Sequence, residues 1–260
     1  MRILPWKELA EKKSGVEGPV RLTIGVFDGV HIGHRKLIRG IVGGSSDALP
    51  MVVTFRQSPV LLVSPGTFPG FLHTYEQKMS LLESLGVAAV VVIDFSEEMR
   101  NLSGKAFIGL LKENLTIQRV IVGQNFRFGK SRISGTEDLK EMLSDTGIEV
   151  QVTEPVLWDE RIVSSTRIRS SIARGDFAGA RSMLTTDYAL DLRGVPGDAE
   201  GSGRRVIARS ALSQVVPQPG SYAVTCIGKS GAQPGHIDMR EDSLTLTTRE
   251  CNDVTMALFT

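Results

Sequence analysis

Two histidines stand close together in a glycine-rich segment that follows an apolar run. Residues 25–34 read GVFDGVHIGH, with histidines at positions 31 and 34. On a helix, side chains three residues apart lie on one face, so His31 and His34 would point the same way. A helix start offers unpaired N–H groups and a positive dipole end, and Gly29 and Gly33 let an anion approach the backbone. The pattern predicts a phosphate site with two imidazole donors; the plainer alternative is a structural turn with two surface histidines.

A second polar segment, SSTRIR at residues 164–169, places three hydroxyl residues before two arginines. Ser165 or Thr166 would suit the N-cap of a following helix. Capping explains one hydroxyl but not three of them followed by Arg167 and Arg169. Those arginines are two residues apart and cannot share a helix face. We therefore expect one of them to meet a phosphate and the other to face solvent or the protein body.

A third segment, VGQNFRFGK at residues 122–130, follows another apolar run. Phe126 and Phe128, with Arg127 between them, could form a stacking surface for a planar ring; the alternative is that both aromatic rings belong to the core. The letters GKS at residues 129–131 suggest a P-loop, but that motif requires glycine where Gln124 stands.

The elements that would position these segments alternate along the chain. Nearly continuous apolar runs, typical of strands buried on both faces, occupy residues 20–27, 51–55, 87–95, 119–122 and 148–153. Helical patterns lie between them at residues 34–42, 75–85, 105–115 and 136–145. This alternation predicts an α/β fold with a doubly wound parallel sheet, whose ligands bind at the carboxyl ends of the strands.

The last third of the chain has a different pattern. One further helix is predicted at about residues 166–184. Beyond Tyr188 a Gly-rich stretch leads into short alternating runs, such as residues 221–227 and 243–248, which are typical of a small all-β module. We therefore predict two domains, residues 1–187 and residues 188–260.

Composition narrows the class of protein. The 260 residues carry 30 Lys and Arg against 29 Asp and Glu, a formal net charge of +1. That balance gives no whole-protein field to hold nucleic acid or an anionic membrane. Cys226 and Cys251 lack CxxC spacing, so neither a zinc site nor a disulfide scaffold is indicated. The longest apolar run is residues 87–93, and the first residues lack the apolar stretch of a signal peptide. We expect a cytoplasmic protein with no membrane or nucleic-acid partner.

In this order, the three motifs resemble those of the prokaryotic FAD synthetases, the bifunctional riboflavin kinase/FMN adenylyltransferase family. GVFDGVHIGH is similar to the family's GxFDGxHxGH, VGQNFRFG to its VGxNFxFG, and SSTRIR to its SSTxIR. The resemblance spans residues 20 to about 188. It implies a Rossmann-like nucleotidyltransferase domain with a parallel sheet, followed by a small barrel-like β module. It also implies that ATP and FMN are the substrates and that FAD and pyrophosphate are the products, with Mg²⁺ carried mainly by the ATP phosphates.

The resemblance also assigns residues to roles. The catalytic residues it implies are His31, His34 and Arg169. The implied ATP-binding residues are Gly25, Phe27, Asp28, Gly29, Gly33, Asn125, Ser165 and Thr166. The implied flavin-binding residues are Phe55, Pro59, Phe126 and Phe128. No protein residue is assigned to the metal, which fits the lack of any paired-carboxylate cluster in the sequence.

Two departures from the family pattern matter. The family's TFxPHP segment reads TFRQSP at residues 54–59, without a histidine, and its GxPTAN kinase stretch is missing between Gly194 and Tyr222. Neither Glu241 nor Glu250 has the surroundings expected of the kinase glutamate. We therefore expect an adenylyltransferase whose β module is a degenerate riboflavin kinase.

Several alternatives stay open at this point. The chain could be a fully bifunctional enzyme, or a non-catalytic flavin- or nucleotide-binding protein. It could also be an adenylyltransferase acting on a nicotinamide or pantetheine phosphate. A class I aminoacyl-tRNA synthetase is disfavoured, because the second synthetase motif begins at Lys78 but does not continue, and no tRNA-binding signal follows.

Overall fold

The computed structural model describes residues 1–13, 15–44, 47–58, 61, 66, 68–201 and 203–259. The chain divides into two compact units. The first comprises Met1–Phe68 and Met79–Val156, and the second comprises Pro69–Lys78 and Leu157–Thr260. The domain boundary at residues 187 and 188 divides the sequence by its motifs and stays a prediction.

The first unit is built on a six-stranded sheet in which every neighbouring pair is parallel. Its strands are β1 (Arg2–Pro5), β2 (Pro19–Ile24), β3 (Leu49–Phe55), β4 (Ala89–Ile93), β5 (Thr116–Gly123) and β6 (Glu149–Thr153). Every residue of β4 is buried, as the continuous apolar runs predict. The predicted sheet is confirmed, and β1 is an additional strand that joins it beside β4.

Among the described residues, six helices connect or flank these strands. They are α1 (Trp6–Ala10), α2 (Ile32–Val42), α3 (Tyr75–Ser84), α4 (Glu97–Asn101), α5 (Gly104–Asn114) and α6 (Thr136–Leu143). Helix α2 buries Leu37, Ile38 and Ile41, which lie on one face at helical spacing. Helix α3 belongs to the second unit up to Lys78 and to the first unit from Met79 onward.

The strand order places a topological switch point beside β2. The order is β1-β4-β3-β2-β5-β6, so the chain runs from β2 through β3 to β4 on one side and continues with β5 and β6 on the other. In open parallel sheets, ligands bind outside the carboxyl ends of the strands where the order reverses. Here those ends belong to β2 and β5, which lead directly into the segments GVFDGVHIGH and VGQNFRFG.

The second unit begins with a hairpin and two helices. Strands β7 (Leu157–Trp158) and β8 (Arg161–Ile162) form the hairpin, and α7 (Ser165–Ala173) and α8 (Phe177–Leu184) follow it. The single helix predicted at residues 166–184 is therefore wrong. The helical conformation is interrupted at Gly175, which adopts a φ of +76°. Asp176 then caps α8 by accepting a hydrogen bond from the Gly179 N–H at 2.9 Å.

A seven-stranded antiparallel sheet completes the second unit. Its strands are β9 (Tyr188–Asp191), β10 (Asp198–Ala199), β11 (Arg204–Ala208), β12 (Gly220–Gly228), β13 (Gly231–Met239), β14 (Ser243–Thr247) and β15 (Val254–Phe259), in the order β10-β11-β14-β13-β12-β15-β9. Aromatic rings of α8 and the sheet pack together: the Phe177 and Phe259 centroids lie 4.4 Å apart. This curled, barrel-like sheet confirms the predicted small β module and, with the first unit, the predicted fold class.

None of the described helices is both long and apolar enough to cross a membrane.

Candidate active site

Two hydrogen bonds to strand β3 fix the turn between β2 and α2. The Gly25 N–H donates to the Val53 carbonyl at 3.0 Å, and the Thr54 hydroxyl, which is fully buried, donates to the Val26 carbonyl at 3.0 Å. Three residues of the turn have left-handed backbone angles: Phe27 at +52°, Gly29 at +91° and Val30 at +40°. Such angles are costly for Phe and Val and are concentrated at functional sites.

His31 and His34 form a stacked pair at the start of α2. His31 is the N-cap of the helix, and its Nδ1 accepts a hydrogen bond from the His34 N–H at 3.3 Å. The two ring centroids lie 3.7 Å apart with an angle of 16° between the planes. The sequence predicted one shared face, and the structure places the rings in direct contact.

Gly33 makes room for this pair. A Cβ atom at position 33 would lie 3.2 Å from both Cε1 and Nδ1 of His31, closer than an ordinary van der Waals contact. Any larger residue would therefore push the His31 ring away from its stacked position.

Burial keeps the His31 ring neutral. The side chain is only 6% exposed, and burial lowers its pKa from 6.5 to about 4. Because Nδ1 of the neutral ring accepts a hydrogen bond from the helix, its proton must reside on Nε2. His31 is thus arranged as a hydrogen-bond donor through Nε2.

The lowered pKa of His31 makes the stability of the protein depend on pH. The unfolded state binds a proton near pH 6.5 and the folded state only near pH 4, so the stabilisation is complete above pH 6.5 and is lost as the pH falls toward 4. We expect the free energy of unfolding to drop by about 2 kcal/mol more in the wild type than in His31→Asn between pH 7.5 and pH 5. Urea denaturation at both pH values measures this difference, and asparagine preserves the N-cap. Equal drops in the two proteins would contradict the prediction.

The segment after β5 places its residues at different depths. Asn125 is exposed. The Phe126 and Phe128 rings are stacked, with centroids 5.1 Å apart, but Phe128 is only 6% exposed and also packs near Phe107. Of the two aromatic residues, only the half-buried Phe126 therefore has ring surface open to a ligand.

Three other predicted site residues have different surroundings. Phe55, at the end of β3, packs edge-on against Phe95 with ring centroids 5.9 Å apart. Phe27 is fully buried, so any contact it makes with a nucleotide must come from its backbone. Pro59 lies outside the described residues.

The SSTRIR segment forms the start of α7 in the second unit. The N-cap is Ser164, whose hydroxyl accepts a hydrogen bond from the Arg167 N–H at 3.2 Å, and not Ser165 or Thr166 as predicted. The extended backbone at Ser164 leaves its side chain facing the first turn, as capping requires. Ser165 and Thr166 therefore belong to the first helical turn itself.

The two arginines of α7 have different partners. The Arg167 guanidinium donates to the Trp158 and Arg161 carbonyls at 2.6 and 2.9 Å and lies 4.8 Å from the Trp158 ring centre. It therefore holds the hairpin. Arg169 donates through Nε to the Gly70 carbonyl at 2.8 Å. Both guanidinium groups therefore donate to backbone carbonyls of the second unit, and the phosphate contact expected of one of them stays a prediction.

Comparison with known proteins identifies the family of this chain. Residues 14–167 match the FAD synthetase family. The chain belongs to the FAD synthetase family. Among its relatives, the bifunctional riboflavin kinase/FMN adenylyltransferase of Escherichia coli is 33% identical over 80% of this chain and 68% of its own length. The enzyme of the same description from Bacillus subtilis is 30% identical over 78% of this chain and 66% of its own length. Membership confirms the predicted family and the predicted enzyme class, an ATP-dependent FMN adenylyltransferase.

A solved structure supports the fold of this chain along its whole length. A Streptococcus pneumoniae protein described as a macrolide-efflux protein superposes with a TM-score of 0.82, covering 100% of this chain and 98% of its own. Its sequence is 21% identical, so the likeness concerns the fold alone.

The first unit brings together most of the predicted nucleotide-binding residues. The glycine turn and the histidine pair follow β2, and Asn125 and Phe126 follow the neighbouring β5. Ser165, Thr166 and Arg169 belong to the second unit. Sequence reasoning missed the roles of Thr54, which anchors the turn, and of Gly70, which accepts from Arg169. Thr54 lies in the segment TFRQSP, which drew attention only for its missing histidine, and Gly70 lies in no recognised motif.

Carboxylate ligands for a magnesium ion are few near the histidine pair among the described residues. Within the described residues, no group of three or more His, Cys, Asp or Glu side chains could hold a metal. Mg²⁺ is commonly bound by one or two carboxylates together with substrate phosphates, and Asp28, 7% exposed in the turn after β2, is the carboxylate beside the histidine pair.

Proposed function

We propose that this chain transfers the adenylyl group of ATP to FMN, giving FAD and pyrophosphate. The observation that carries the proposal is the position of the stacked histidine pair, at a helix N-terminus and at the switch point of a parallel sheet. Membership of the FAD synthetase family supports the same reaction.

The nucleophile needs little activation. The second pKa of a phosphate monoester is about 6, so the FMN phosphate is largely dianionic at neutral pH and requires no general base. One of its oxygens attacks the α-phosphorus of ATP, and the bond from that phosphorus to the bridging oxygen breaks. The bond electrons leave with pyrophosphate. The protein therefore has to align the two phosphates and stabilise the charge that develops.

The chain's own residues meet both requirements. The Nε2 proton of neutral His31 and the ring of His34 would donate to the ATP phosphates, beside the N–H groups at the start of α2. The glycines of the turn let the phosphates come close to the backbone. Ser165, Thr166 and Arg169 would hold phosphate oxygens from the first turns of α7.

Other residues would contact the metal ion, the nucleotide and the flavin. Bound to the triphosphate, Mg²⁺ would neutralise charge on the leaving pyrophosphate, and Asp28, in the same turn as the histidines, would offer a carboxylate ligand. Asn125 would contact the nucleotide, and the exposed face of Phe126 would stack on the flavin, with Phe55 as a further flavin contact.

A chromatographic assay tests the proposed function. The protein is incubated with Mg²⁺, ATP and FMN, and the flavins are separated and quantified. FAD above the protein-free control supports the proposal, whereas its absence with folded protein contradicts it and favours a non-catalytic binding protein. Parallel reactions with nicotinamide mononucleotide and phosphopantetheine test the two other adenylyl acceptors.

We further propose that riboflavin kinase activity is absent. A kinase must hold the γ-phosphoryl group and its metal and orient the acceptor hydroxyl, and the stretch that supplies Thr and Asn for this in the family is missing here. Glu250 is exposed and accepts a hydrogen bond from Ser230 at 2.8 Å, and Glu241 is exposed beyond the end of β13. The surroundings of neither glutamate are those expected of a general base beside a bound flavin.

The kinase prediction has a direct measurement. Incubation of the protein with riboflavin, Mg²⁺ and ATP should yield no FMN or FAD above background, while FMN supplied to the same preparation is converted to FAD. Product from riboflavin that disappears when the β module is altered would show that the module is a working kinase.

A further inference from the structure

A short segment of the β module, residues 213–218, crosses the second unit and is called the strap below. It pairs in parallel with Phe71. The Phe71 N–H donates to the Ser213 carbonyl and the Val215 N–H donates to the Phe71 carbonyl, both at 2.9 Å. The strap therefore holds the segment Pro69–Lys78 within the second unit.

Gln214 is the centre of this attachment. Its side chain, 5% exposed, donates through Nε2 to the carbonyls of Leu72 and Ala189 at 3.1 and 3.0 Å and to the Gln77 side chain at 3.2 Å. Its Oε1 accepts from the Asp191 N–H at 2.7 Å. One buried amide thus joins the Pro69–Lys78 segment to β9. Buried hydrogen bonds of this kind are costly to leave unmade.

The far end of the strap attaches to helix α7. The Gln218 N–H donates to the Ala173 carbonyl at 2.8 Å, and the Tyr222 hydroxyl donates to the Gln218 carbonyl at 2.8 Å. The last carbonyls of a helix have no partner within the helix, so the strap supplies one to the C-terminal end of α7.

Helix α7 is also held through Gly70. Arg169 donates to the Gly70 carbonyl, and Gly70 lies directly against the strap: a Cβ atom there would come within 2.6 Å of the Val215 nitrogen and 2.7 Å of the Gln214 carbonyl carbon. The strap thus supports α7 twice, at its C-terminal end and, through Gly70, at Arg169.

We propose that the strap positions α7 for adenylyl transfer, through Gly70 and through the C-terminal end of the helix. This rests on the proposed function, in which Ser165, Thr166 and Arg169 of α7 hold the ATP phosphates. It gives the β module a role in the adenylyltransferase reaction, although the module lacks the kinase stretch.

Gly70→Ala provides the first test, with Gly231→Ala as a matched control. Gly70 and Gly231 have similar left-handed φ angles, +100° and +94°, but a Cβ at position 231 would meet no atom within 4 Å. Both variants carry the same backbone strain, and only Gly70→Ala displaces the strap. We expect the KM for ATP to rise by about tenfold or more in Gly70→Ala, with the KM for FMN changed less than about twofold, and both to stay near wild type in Gly231→Ala.

Tyr222→Phe tests the other end of the strap by a change that removes one hydroxyl. Amide hydrogen exchange followed by mass spectrometry should show faster exchange across residues 167–174 in Gly70→Ala and in Tyr222→Phe, and wild-type exchange in Gly231→Ala. This measurement requires no turnover. If Gly70→Ala does not fold, Tyr222→Phe carries both readouts.

The outcomes separate this proposal from the proposed function. Faster exchange in α7 with a selective rise in the KM for ATP supports the strap as a positioning device. Unchanged exchange, or equal rises in KM for both substrates, would overturn it. If the wild type forms no FAD, the proposed function has failed, and the ATP dissociation constant from calorimetry replaces KM: an unchanged constant in Gly70→Ala then overturns the strap proposal as well.

Discussion

His34→Ala should lower the rate of FAD formation by about 10²–10³, the usual loss for one donor aimed at developing charge. The His34 ring lies 3.7 Å from the His31 ring at the N-terminus of α2, where anionic oxygen is stabilised. Because the donor matters most when pyrophosphate departs, the loss should appear in the chemical step. ATP binding should weaken much less. Single-turnover rates and the ATP dissociation constant, measured together, separate the two effects.

A histidine outside the candidate site supplies the control for this substitution. His236, on β13, is 44% exposed and contacts Ser221 and Asp238, far along the sequence from either nucleotide motif. His236→Ala should form FAD at the wild-type rate. A rate for His34→Ala within about twofold of wild type would show that the histidine pair is structural, as the plainer interpretation of the sequence holds.

Arg169→Ala should also reduce kcat/KM by about 10²–10³, because the phosphate clamp proposed for Arg169 would lose its guanidinium from a preorganised position. The Arg169 Nε is bonded to the Gly70 carbonyl, so the side chain is oriented before the substrate arrives. Steady-state kinetics with varied ATP provides the measurement, and Arg169→Lys should recover little because lysine lacks the planar fork.

Arg167→Ala is the matched control on the same helix. Arg167 is occupied with the hairpin carbonyls and the Trp158 ring, so its loss should loosen the hairpin and leave kcat/KM within about fivefold of wild type. If the two variants lost activity equally, α7 would contribute through its general packing, and the phosphate contact assigned to Arg169 would be wrong.

The sequence was most informative where one local rule applies. Strands β2 to β5 were predicted because strands buried on both faces tend to be continuously apolar. The turn after β2 was predicted because it combines two glycines with two histidines three residues apart. Strand β6 was predicted as well, although none of its residues is buried. Four-residue strand β1 was missed, since Arg2–Pro5 shows no such run. The break at Gly175 was missed because one glycine within a helical pattern is often tolerated.

The remaining features depend on contacts between distant residues. Gln214 reaches Leu72 across 142 positions, through an amide and backbone carbonyls that leave no trace in composition or periodicity. Likewise, Phe126 and Phe128 occupy equivalent places in the motif, and only the packing of Phe128 near Phe107 separates a core ring from one with an open face.

The chain contributes Pro69–Lys78 to the second unit between two parts of the first unit, and this order affects how the protein folds during its synthesis. A ribosome finishes β6, the last strand of the parallel sheet, at Thr153, so the first unit can begin to fold while synthesis continues. The segment Pro69–Lys78 emerges early, yet its partner Gln214 is synthesised 142 positions after Leu72, a delay on the order of ten seconds at ordinary rates of translation. In the later part of that interval, once Thr153 has been added, the nascent chain contains all six strands of the parallel sheet, while the segment Pro69–Lys78 still lacks Gln214.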